Sequence, residues 1–183
     1  MENEQSLLLQ ISEGDEQAFG VLYRYYYNRL FRFAMLFLES EDASEDVVED
    51  VFFMIWKERI MLVNIPNFRA FVYQSVRNAC LNTLKSGYVS KREGLPDTEC
   101  QAYFSDDTPL DELMRKELCQ LLNKTINGLP DRCRIVFKMA KEDGMSHREI
   151  ADILNIKVCT VERQLLLAKS KIKQMLEPLF KKK

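Results

Sequence analysis

One stretch of the sequence, SHREIADILNIKVCTVERQL from Ser146 to Leu165, has the pattern of two short helices separated by an abrupt turn. Ser146 and Glu149 have the spacing of a capping box, in which each side chain accepts a hydrogen bond from a backbone amide at the helix start. Asn155 follows the first helix, and asparagine tolerates the left-handed conformation that ends helices. Apolar residues recur at the spacings needed for two helices to cross steeply: Ile150, Ala151, Leu154, Ile156, Val161 and Leu165. The stretch therefore predicts a helix-turn-helix, whose second helix enters the DNA major groove.

The second helix of this motif has an apolar stripe and a polar face. The predicted inward stripe is Val161, Leu165, Ala168, Ile172 and Met175. The predicted outward residues are Cys159, Arg163, Leu166 and Ser170, flanked by Thr160, Glu162 and Leu167. Arg163 is the best candidate for reading a guanine edge, and the lysines that follow, Lys169, Lys171 and Lys173, suit phosphate contacts. An ordinary helical hairpin with a solvated basic face is the alternative that these residues leave open.

Charge is segregated along the 183-residue chain, although the net charge is only -2. The first 90 residues carry 8 basic and 13 acidic side chains, whereas residues 111–183 carry 16 basic and 10 acidic ones. Within the first part, Glu39–Asp50 holds seven acids and no base, and residues 61–92 hold five bases and no acid. Such asymmetry suits a chain that meets a basic protein surface with one part and nucleic acid with another.

The hydrophobic pattern predicts helices throughout, because apolar residues recur at helical spacings and alternation with period two is absent. The predicted helices are Leu7–Ser12, Glu16–Leu38, Ser44–Arg59, Asn67–Lys85, Leu110–Ile126, Asp131–Lys141, Ser146–Leu154 and Val158–Met175. The chain from Gly87 to Pro109 has no consistent helical stripe and reads as a linker. We therefore expect an all-α protein with two small helical domains, residues 1–90 and 110–183, joined by a flexible linker at 91–109.

The fourth predicted helix offers a second candidate surface for nucleic acid. A helical wheel places Phe68, Val72, Val76, Ala79 and Thr83 on one face, and Asn67, Gln74, Arg77, Asn78 and Lys85 on the other. Amides can hydrogen-bond exposed base edges and cations can bind the backbone, while Tyr73 and Phe71 could stack on unpaired bases. A face that is merely solvated is the alternative.

Several classes of protein are excluded by the residues present. The five cysteines are scattered without a CxxC pair and His147 is the only histidine, so we expect reduced thiols and no metal site. No nucleophile with a histidine base and no phosphate loop is visible, so we expect neither an enzyme nor a cofactor. The start, MENEQ, lacks the pattern of a signal peptide, and no apolar run could span a bilayer, so we expect a cytoplasmic protein without membrane insertion.

Four motifs in order resemble the extracytoplasmic-function sigma factors of the sigma-70 family. The motifs are DEQAFGVLYRYYYNRLFRFA, SEDVVEDVFFMIWKER, NFRAFVYQSVRNACLNTLK and, after the linker, INGLPDRCRIVFKMAKEDGMSHREIADILNIKVCTVERQLLLAKSKIKQML. The resemblance covers roughly residues 7–176. It implies a transcription initiation factor that works as part of RNA polymerase holoenzyme.

The resemblance also implies a role for each surface. The acidic third helix would dock on the clamp helices of the polymerase beta-prime subunit through Asp46, Glu49, Asp50, Phe53 and Trp56, although Trp56 and Phe52 also suit the core. The fourth helix would recognise and melt the minus-ten element of promoter DNA through Asn67, Arg69, Tyr73, Gln74, Arg77, Asn78 and Lys85, with Asn78 lining the pocket for a flipped base. The helix-turn-helix would read the minus-thirty-five element while resting on the beta flap, through Ser146, Lys157, Cys159, Thr160, Arg163, Leu167 and Lys171. An anti-sigma factor is a further expected partner.

Some residues depart from the family pattern. Asn155 stands where glycine is usual, Lys157 stands where a serine cap is common, and Leu166 and Leu167 replace residues that are arginine in many relatives. The loop Ile60–Pro66 is also unusually apolar. Two other functions therefore stay open: a helix-turn-helix regulator that acts without polymerase, and a helical adaptor that binds only proteins.

Overall fold

The computed structural model describes residues 4–87 and 119–180, with the backbone alone at 178–180. Within these ranges the chain is helical and contains no strand, as the hydrophobic pattern predicts. The chain separates into two compact units, one built mainly from residues before 95 and the other mainly from residues after 94. The predicted linker at 91–109 lies outside the described residues.

The first unit contains four α-helices and one 3-10 helix. Their bounds are α1 Glu4–Ser12, α2 Glu16–Leu38, α3 Glu41–Lys57, the 3-10 helix Arg59–Asn64 and α4 Phe68–Lys85. The predicted bounds of α2 are confirmed. The helix starts at Glu16 because the Asp15 side chain caps it, accepting hydrogen bonds from the amides of Gln17 and Ala18 at 2.8 and 3.1 Å. The third helix starts earlier than predicted, at Glu41, because the Ser40 hydroxyl accepts from the Ala43 amide at 3.4 Å.

Aromatic side chains on α2 hold α3 and α4 in place. On the α3 side, the Tyr23 and Phe52 rings lie 4.6 Å apart between centroids. On the α4 side, Phe33 packs edge-on against Tyr73 at 5.0 Å and Tyr26 packs edge-on against Phe68 at 5.7 Å. Such pairs add about 0.5–1.5 kcal/mol each beyond the burial of their area. They therefore determine which faces of α3 and α4 point outward.

Four helices lie in the described residues after 118. Residues 119–127 form α5, followed by α6 Asp131–Lys141, α7 His147–Leu154 and α8 Val158–Phe180. The predicted bounds of α6 are confirmed, whereas the part of Leu110–Ile126 before residue 119 lies outside the described residues. α6 packs against α8 around Leu129, Cys133 and Ala168, with Ile126, Phe137 and Ile172 at the edge of this cluster.

A buried arginine stabilises the turn between α5 and α6. Arg134 is only 4% exposed, yet its guanidinium donates to the Asn127 carbonyl at 3.1 Å and to the Asp131 carboxylate at 3.0 Å. A carbonyl at the end of a helix lacks an intrahelical partner, so the arginine satisfies a group that the turn would otherwise leave unpaired. The Gly128-Leu129-Pro130 break is thus held by a side chain from the helix that follows it.

The turn of the helix-turn-helix follows its predicted chemistry. The Ser146 amide donates to the Glu149 carboxylate at 2.8 Å, and the Glu149 amide donates to the Ser146 hydroxyl at 3.2 Å, which confirms the capping box. Asn155 has φ +52°, in the left-handed region predicted for it. One residue in the left-handed conformation therefore follows Leu154 and ends α7.

One expectation about α8 is wrong. Met175 was predicted on the inward stripe, but its side chain is 54% exposed. A helix advances about 1.5 Å per residue, so the 23-residue α8 is about twice as long as the 11-residue α6 that packs against it. The inward stripe is covered as far as Ile172 and then extends beyond its partner.

The described cysteines are not joined in disulfides. Cys80, Cys119, Cys133 and Cys159 are all free thiols, and Cys100 lies outside the described residues. Burial raises the pKa of the Cys80 thiol to about 12, so this side chain behaves as a small apolar residue at neutral pH. Cys133 is also buried, and its thiol donates to the Gln164 side-chain oxygen at 2.6 Å, which links α6 to α8.

Membrane-spanning helices and metal-binding clusters are both absent from the described ranges. Neither residues 4–87 nor residues 119–180 contain a helix with the length and apolar character required to cross a bilayer. The same ranges hold no group of three or more His, Cys, Asp or Glu side chains placed to bind a metal ion.

The positive φ of Asn155 restricts which residues can occupy this position without strain. A β-branched residue adds a second carbon on Cβ that crowds the backbone at positive φ, and it lacks the amide with which asparagine tolerates this conformation. We therefore expect Asn155→Val to lower the free energy of unfolding by about 1–2 kcal/mol. Asn155→Gly is the matched control and should unfold at the same denaturant concentration as the wild type or a higher one, because glycine adopts positive φ without strain. Urea denaturation followed by far-UV circular dichroism measures both, and equal destabilisation by valine and glycine would contradict the assigned turn.

Candidate nucleic-acid and protein interfaces

The outward face of α3 combines acids with one aromatic ring. Asp46, Glu49, Asp50 and Phe53 are all exposed, and Phe53 is 69% exposed. Their spacing places them on one side of the helix, since residues three and four apart are neighbours on a helical surface. The opposite side packs into the core through Val47, Val48, Val51, Phe52 and Ile55. Four of the five predicted polymerase-binding residues therefore form one continuous surface.

Trp56, the fifth predicted residue, has a mainly structural environment. Its ring lies 4.9 Å from the Phe19 ring, and the Arg59 guanidinium stacks over it at 4.9 Å from the centroid. Phe52 is buried, as predicted, at 3% exposure. Tyr23 packs on Phe52. Burial is the main cause that raises the pKa of the Tyr23 hydroxyl, and the negative charge of Glu49 is the second cause. The negative potential of α3 thus reaches the aromatic residues of α2.

The outward face of α4 presents amides and cations. Asn78 and Lys85 are exposed, while Arg69, Gln74 and Arg77 are half-buried. The Arg77 guanidinium donates to the Asn78 side-chain oxygen at 3.3 Å, so the two residues form one hydrogen-bonding group. Asn67 is exposed and caps α4, with its side-chain oxygen accepting from the Ala70 amide at 3.0 Å. Six of the seven predicted minus-ten residues are at least partly exposed.

Tyr73 is the exception, and the expectation that it stacks on DNA bases is wrong. Its side chain is 0% exposed, because it packs edge-on against Phe33 in the space between α4 and α2. A buried ring cannot stack on a base unless the core opens. Phe71, the other aromatic candidate, is half-buried and lies 6.2 Å from Phe68.

The recognition helix α8 has the predicted inward and outward sides over its first four turns. Val161, Leu165 and Ala168 are buried. Cys159, Arg163, Leu166 and Ser170 are exposed, as are the flanking Lys157, Glu162, Leu167 and Lys171, while Thr160 is half-buried. The exposed cations continue along the helix with Lys169 and Lys173. The predicted minus-thirty-five residues on α8 therefore lie on one accessible, mainly basic surface.

Two residues at the start of the motif have local partners. Both the hydroxyl and the amide of Ser146 are hydrogen-bonded to Glu149 in the capping box. The His147 ring nitrogen Nδ1 lies 3.8 Å from the Glu162 carboxylate of α8, with both side chains about half exposed. Sequence patterns did not identify this pair, because its two members are fifteen positions apart and meet only when the turn is formed.

The 3-10 helix between α3 and α4 is a feature that periodicity did not predict. It turns Ile60, Met61 and Val63 outward, at 71%, 59% and 48% exposure, while Leu62 is buried. The unusual apolar character of Ile60–Pro66 was the only signal of this surface in the sequence. The 3-10 helix ends three residues before Asn67, the cap of α4.

Comparison with known protein families accounts for these surfaces together. The model described as Sigma-70 region 2 matches residues 22–88, and the model described as Sigma-70, region 4 matches residues 119–172. The first match contains the outward faces of α3 and α4, and the second contains the helix-turn-helix. The chain belongs to the sigma-70 family, in its extracytoplasmic-function class.

Individual relatives and solved structures agree with this assignment. The chain is 25% identical over 191 residues to the RNA polymerase sigma-H factor of Pseudomonas aeruginosa, covering 98% of this chain and 97% of the relative. It is 24% identical over 190 residues to the ECF RNA polymerase sigma-E factor of Escherichia coli K12, with 98% and 97% covered.

Two solved structures share the fold. CnrH, solved in complex with the cytosolic domain of CnrY, superposes with a TM-score of 0.61 at 24% identity, covering 95% of this chain and 97% of CnrH. The sigma factor RpoE of Bartonella quintana, solved with the anti-sigma factor NepR, superposes with a TM-score of 0.64 at 19% identity, covering 87% and 96%.

The burial of Tyr73 predicts a loss of stability when the ring is removed. We expect Tyr73→Ala to lower the free energy of unfolding of the first unit by about 3–5 kcal/mol, as is usual for truncating a buried aromatic residue. Asn78→Ala, on the exposed side of the same helix, should change it by less than about 0.5 kcal/mol. The fluorescence of Trp56, the single tryptophan, reports this unit during urea titration. A stable Tyr73→Ala variant would restore the ring as a candidate for DNA contact.

Proposed function

We propose that this protein is a promoter-specificity factor that binds core RNA polymerase and directs it to promoters with defined minus-ten and minus-thirty-five elements. The observation that carries this proposal is the order of three accessible surfaces along one chain. An acidic face on α3 comes first, an acid-free amide face on α4 comes second, and the basic recognition helix α8 comes last. A DNA-binding regulator alone has no use for the first surface.

The face of α3 is the proposed site for core polymerase, at the clamp helices of the beta-prime subunit. Asp46, Glu49 and Asp50 supply the negative charge that attracts a basic partner and speeds encounter. Phe53 supplies an exposed aromatic side chain, the kind of residue that dominates binding energy once a partner covers it. Trp56 supports this surface from below.

The face of α4 is the proposed site for the minus-ten element. Arg69, Arg77 and Lys85 can bind the phosphate backbone, while Asn67, Gln74 and Asn78 can hydrogen-bond base edges in an unpaired strand. Removing a base from the stack costs a few kcal/mol, which a formed pocket must repay. The Arg77 to Asn78 hydrogen bond favours this, because it orients the Asn78 amide before DNA arrives.

The helix-turn-helix is the proposed reader of the minus-thirty-five element, resting on the beta flap. Arg163 contacts a base edge, and Lys157, Lys169, Lys171 and Lys173 contact phosphates. The remaining candidates at this surface are Ser146, Cys159, Thr160 and Leu167. We take residues 1–90 and 110–183 as the two functional domains and 91–109 as the linker that lets them reach the two promoter elements.

The protein itself is proposed to be non-enzymatic, since the polymerase carries out the chemistry, and to act in the cytoplasm with the chromosome. An anti-sigma factor is a proposed partner, because two proteins of the same fold have been solved with CnrY and with the anti-sigma factor NepR. A regulator that binds DNA without polymerase and an adaptor that binds only proteins are the competing functions.

Reconstituted transcription tests this function. We expect the purified chain to bind core polymerase and to start transcription from a subset of genomic promoter fragments. Phe53→Ala should weaken core binding about tenfold or more, whereas Leu9→Ala, an exposed leucine on α1, should not change it. DNA binding without core binding would favour the regulator, and the absence of any DNA association would favour the adaptor.

The role of Asn78 is separable from binding of the polymerase. We expect Asn78→Ala to reduce promoter opening, because an unpaired base loses its hydrogen-bonding partner, while affinity for core polymerase is unchanged. Permanganate reactivity of unpaired thymines measures opening, and Asn28→Ala, an exposed asparagine on α2, is the control. Equal opening by Asn78→Ala and wild-type holoenzymes would remove the assignment.

A further inference from the structure

The outward side of α8 carries two leucines that do not serve the packing of the helix-turn-helix. Leu166 is 71% exposed and Leu167 is 42% exposed, whereas Leu165 and Ala168 on either side of them are 7% and 0% exposed. Burying a leucine is worth about 1.5–3 kcal/mol, so a side chain left this open gains that stabilisation only from a partner. Isolated exposed leucines are common on protein surfaces, so exposure alone does not identify a binding site. The residues around the pair show what kind of partner it suits.

The surroundings of Leu166 are cationic and polar. It follows Arg163 by three positions and Cys159 by seven, so the three side chains lie in one row along the helix. Lys169 is three positions further on and is exposed. Glu162, four positions before Leu166, also borders it, with its carboxylate 3.8 Å from the His147 ring. A partner that covers Leu166 along the row of Arg163 and Lys169 therefore meets a positive charge at each end of an apolar side chain. This arrangement fits a polyanion that displays apolar groups better than it fits an apolar protein groove.

The DNA major groove has that combination of groups. Phosphates line its edges, and the only apolar group that base pairs present there is the 5-methyl group of thymine. Cations along α8 can approach the phosphates while the leucines approach the bases between them. An arginine at position 166 or 167 would instead select hydrogen-bond acceptors, so leucine changes the kind of base that is favoured.

We propose that Leu166 reads the 5-methyl group of a thymine in the minus-thirty-five element, close to the base contacted by Arg163. This inference rests on the proposed function and adds a specificity-determining residue to it. Leu166 lies about 4.5 Å beyond Arg163 along the helix axis, since α-helices rise about 1.5 Å per residue. Successive bases are about 3.4 Å apart on each strand. The thymine therefore lies one or two base pairs from the Arg163 contact, and Leu167 borders the same site.

Replacement of thymine by deoxyuridine tests the contact, because it removes the methyl group and leaves base pairing unchanged. The full chain is first combined with core polymerase, and the holoenzyme selects its preferred sequences from duplexes randomised across the minus-thirty-five region. Each selected thymine is then replaced singly by deoxyuridine, and affinity is measured by competition. At one position we expect the wild-type holoenzyme to lose about three- to fivefold in affinity, the effect of one methyl group.

The variants identify the residue responsible. With Leu166→Ala, we expect the deoxyuridine penalty at that position to disappear, while binding to core polymerase is unchanged. Met175→Ala removes another exposed apolar side chain of the same helix and should keep the full penalty. An equal penalty in wild type and Leu166→Ala, or no penalty at any thymine in the wild type, would overturn the proposal.

Two other results separate the neighbouring hypotheses. Weaker binding of Leu166→Ala to core polymerase, with the deoxyuridine penalty intact, would mean that the leucine contacts protein and would overturn methyl reading. Failure of the wild-type chain to form a holoenzyme, or to select any minus-thirty-five sequence, would overturn the proposed function before any deoxyuridine is introduced. The two failures therefore appear at different steps of the experiment.

Discussion

The packing of aromatic rings along α2 is the constraint on which both surfaces of the first unit depend. Tyr23 contacts Phe52 of α3, while Phe33 and Tyr26 contact Tyr73 and Phe68 of α4. A rotation of either helix about its axis would separate rings that now lie 4.6–5.7 Å apart. The acids of α3 and the amides of α4 face outward because these rings face inward.

Sequence reasoning succeeded where local chemistry determines structure. The capping box of Ser146 and Glu149 involves residues three positions apart, and the positive φ of Asn155 follows from the preferences of its own side chain. The bounds of α2 follow from the cap at Asp15 and from a long apolar stripe. The same is true of the candidate sites on α3 and α8, whose exposed residues lie opposite clear apolar stripes.

Sequence reasoning failed where a distant helix decides the outcome. Tyr73 follows Val72 at the edge of the apolar face of α4. It is buried because Phe33 on α2 packs against it, and the sequence of α4 alone does not show this contact. Met175 continues a regular stripe, but α6 is too short to cover it. The contact of the His147 ring with the Glu162 carboxylate depends on the angle between α7 and α8, which no periodicity encodes. Periodicity predicts only which side of a helix a residue lies on. The chemical role of each exposed side chain follows from its residue type and from the family.

The contact of α3 with α4, added to the contact of each with α2, has a mechanical consequence. The short connection between them is itself helical, from Arg59 to Asn64, and Leu62 anchors it in the core. Both helices are thus held in one core with α2, and we expect them to move as one body. A partner that displaces the acidic face of α3 would therefore displace the face that carries Asn78 with it.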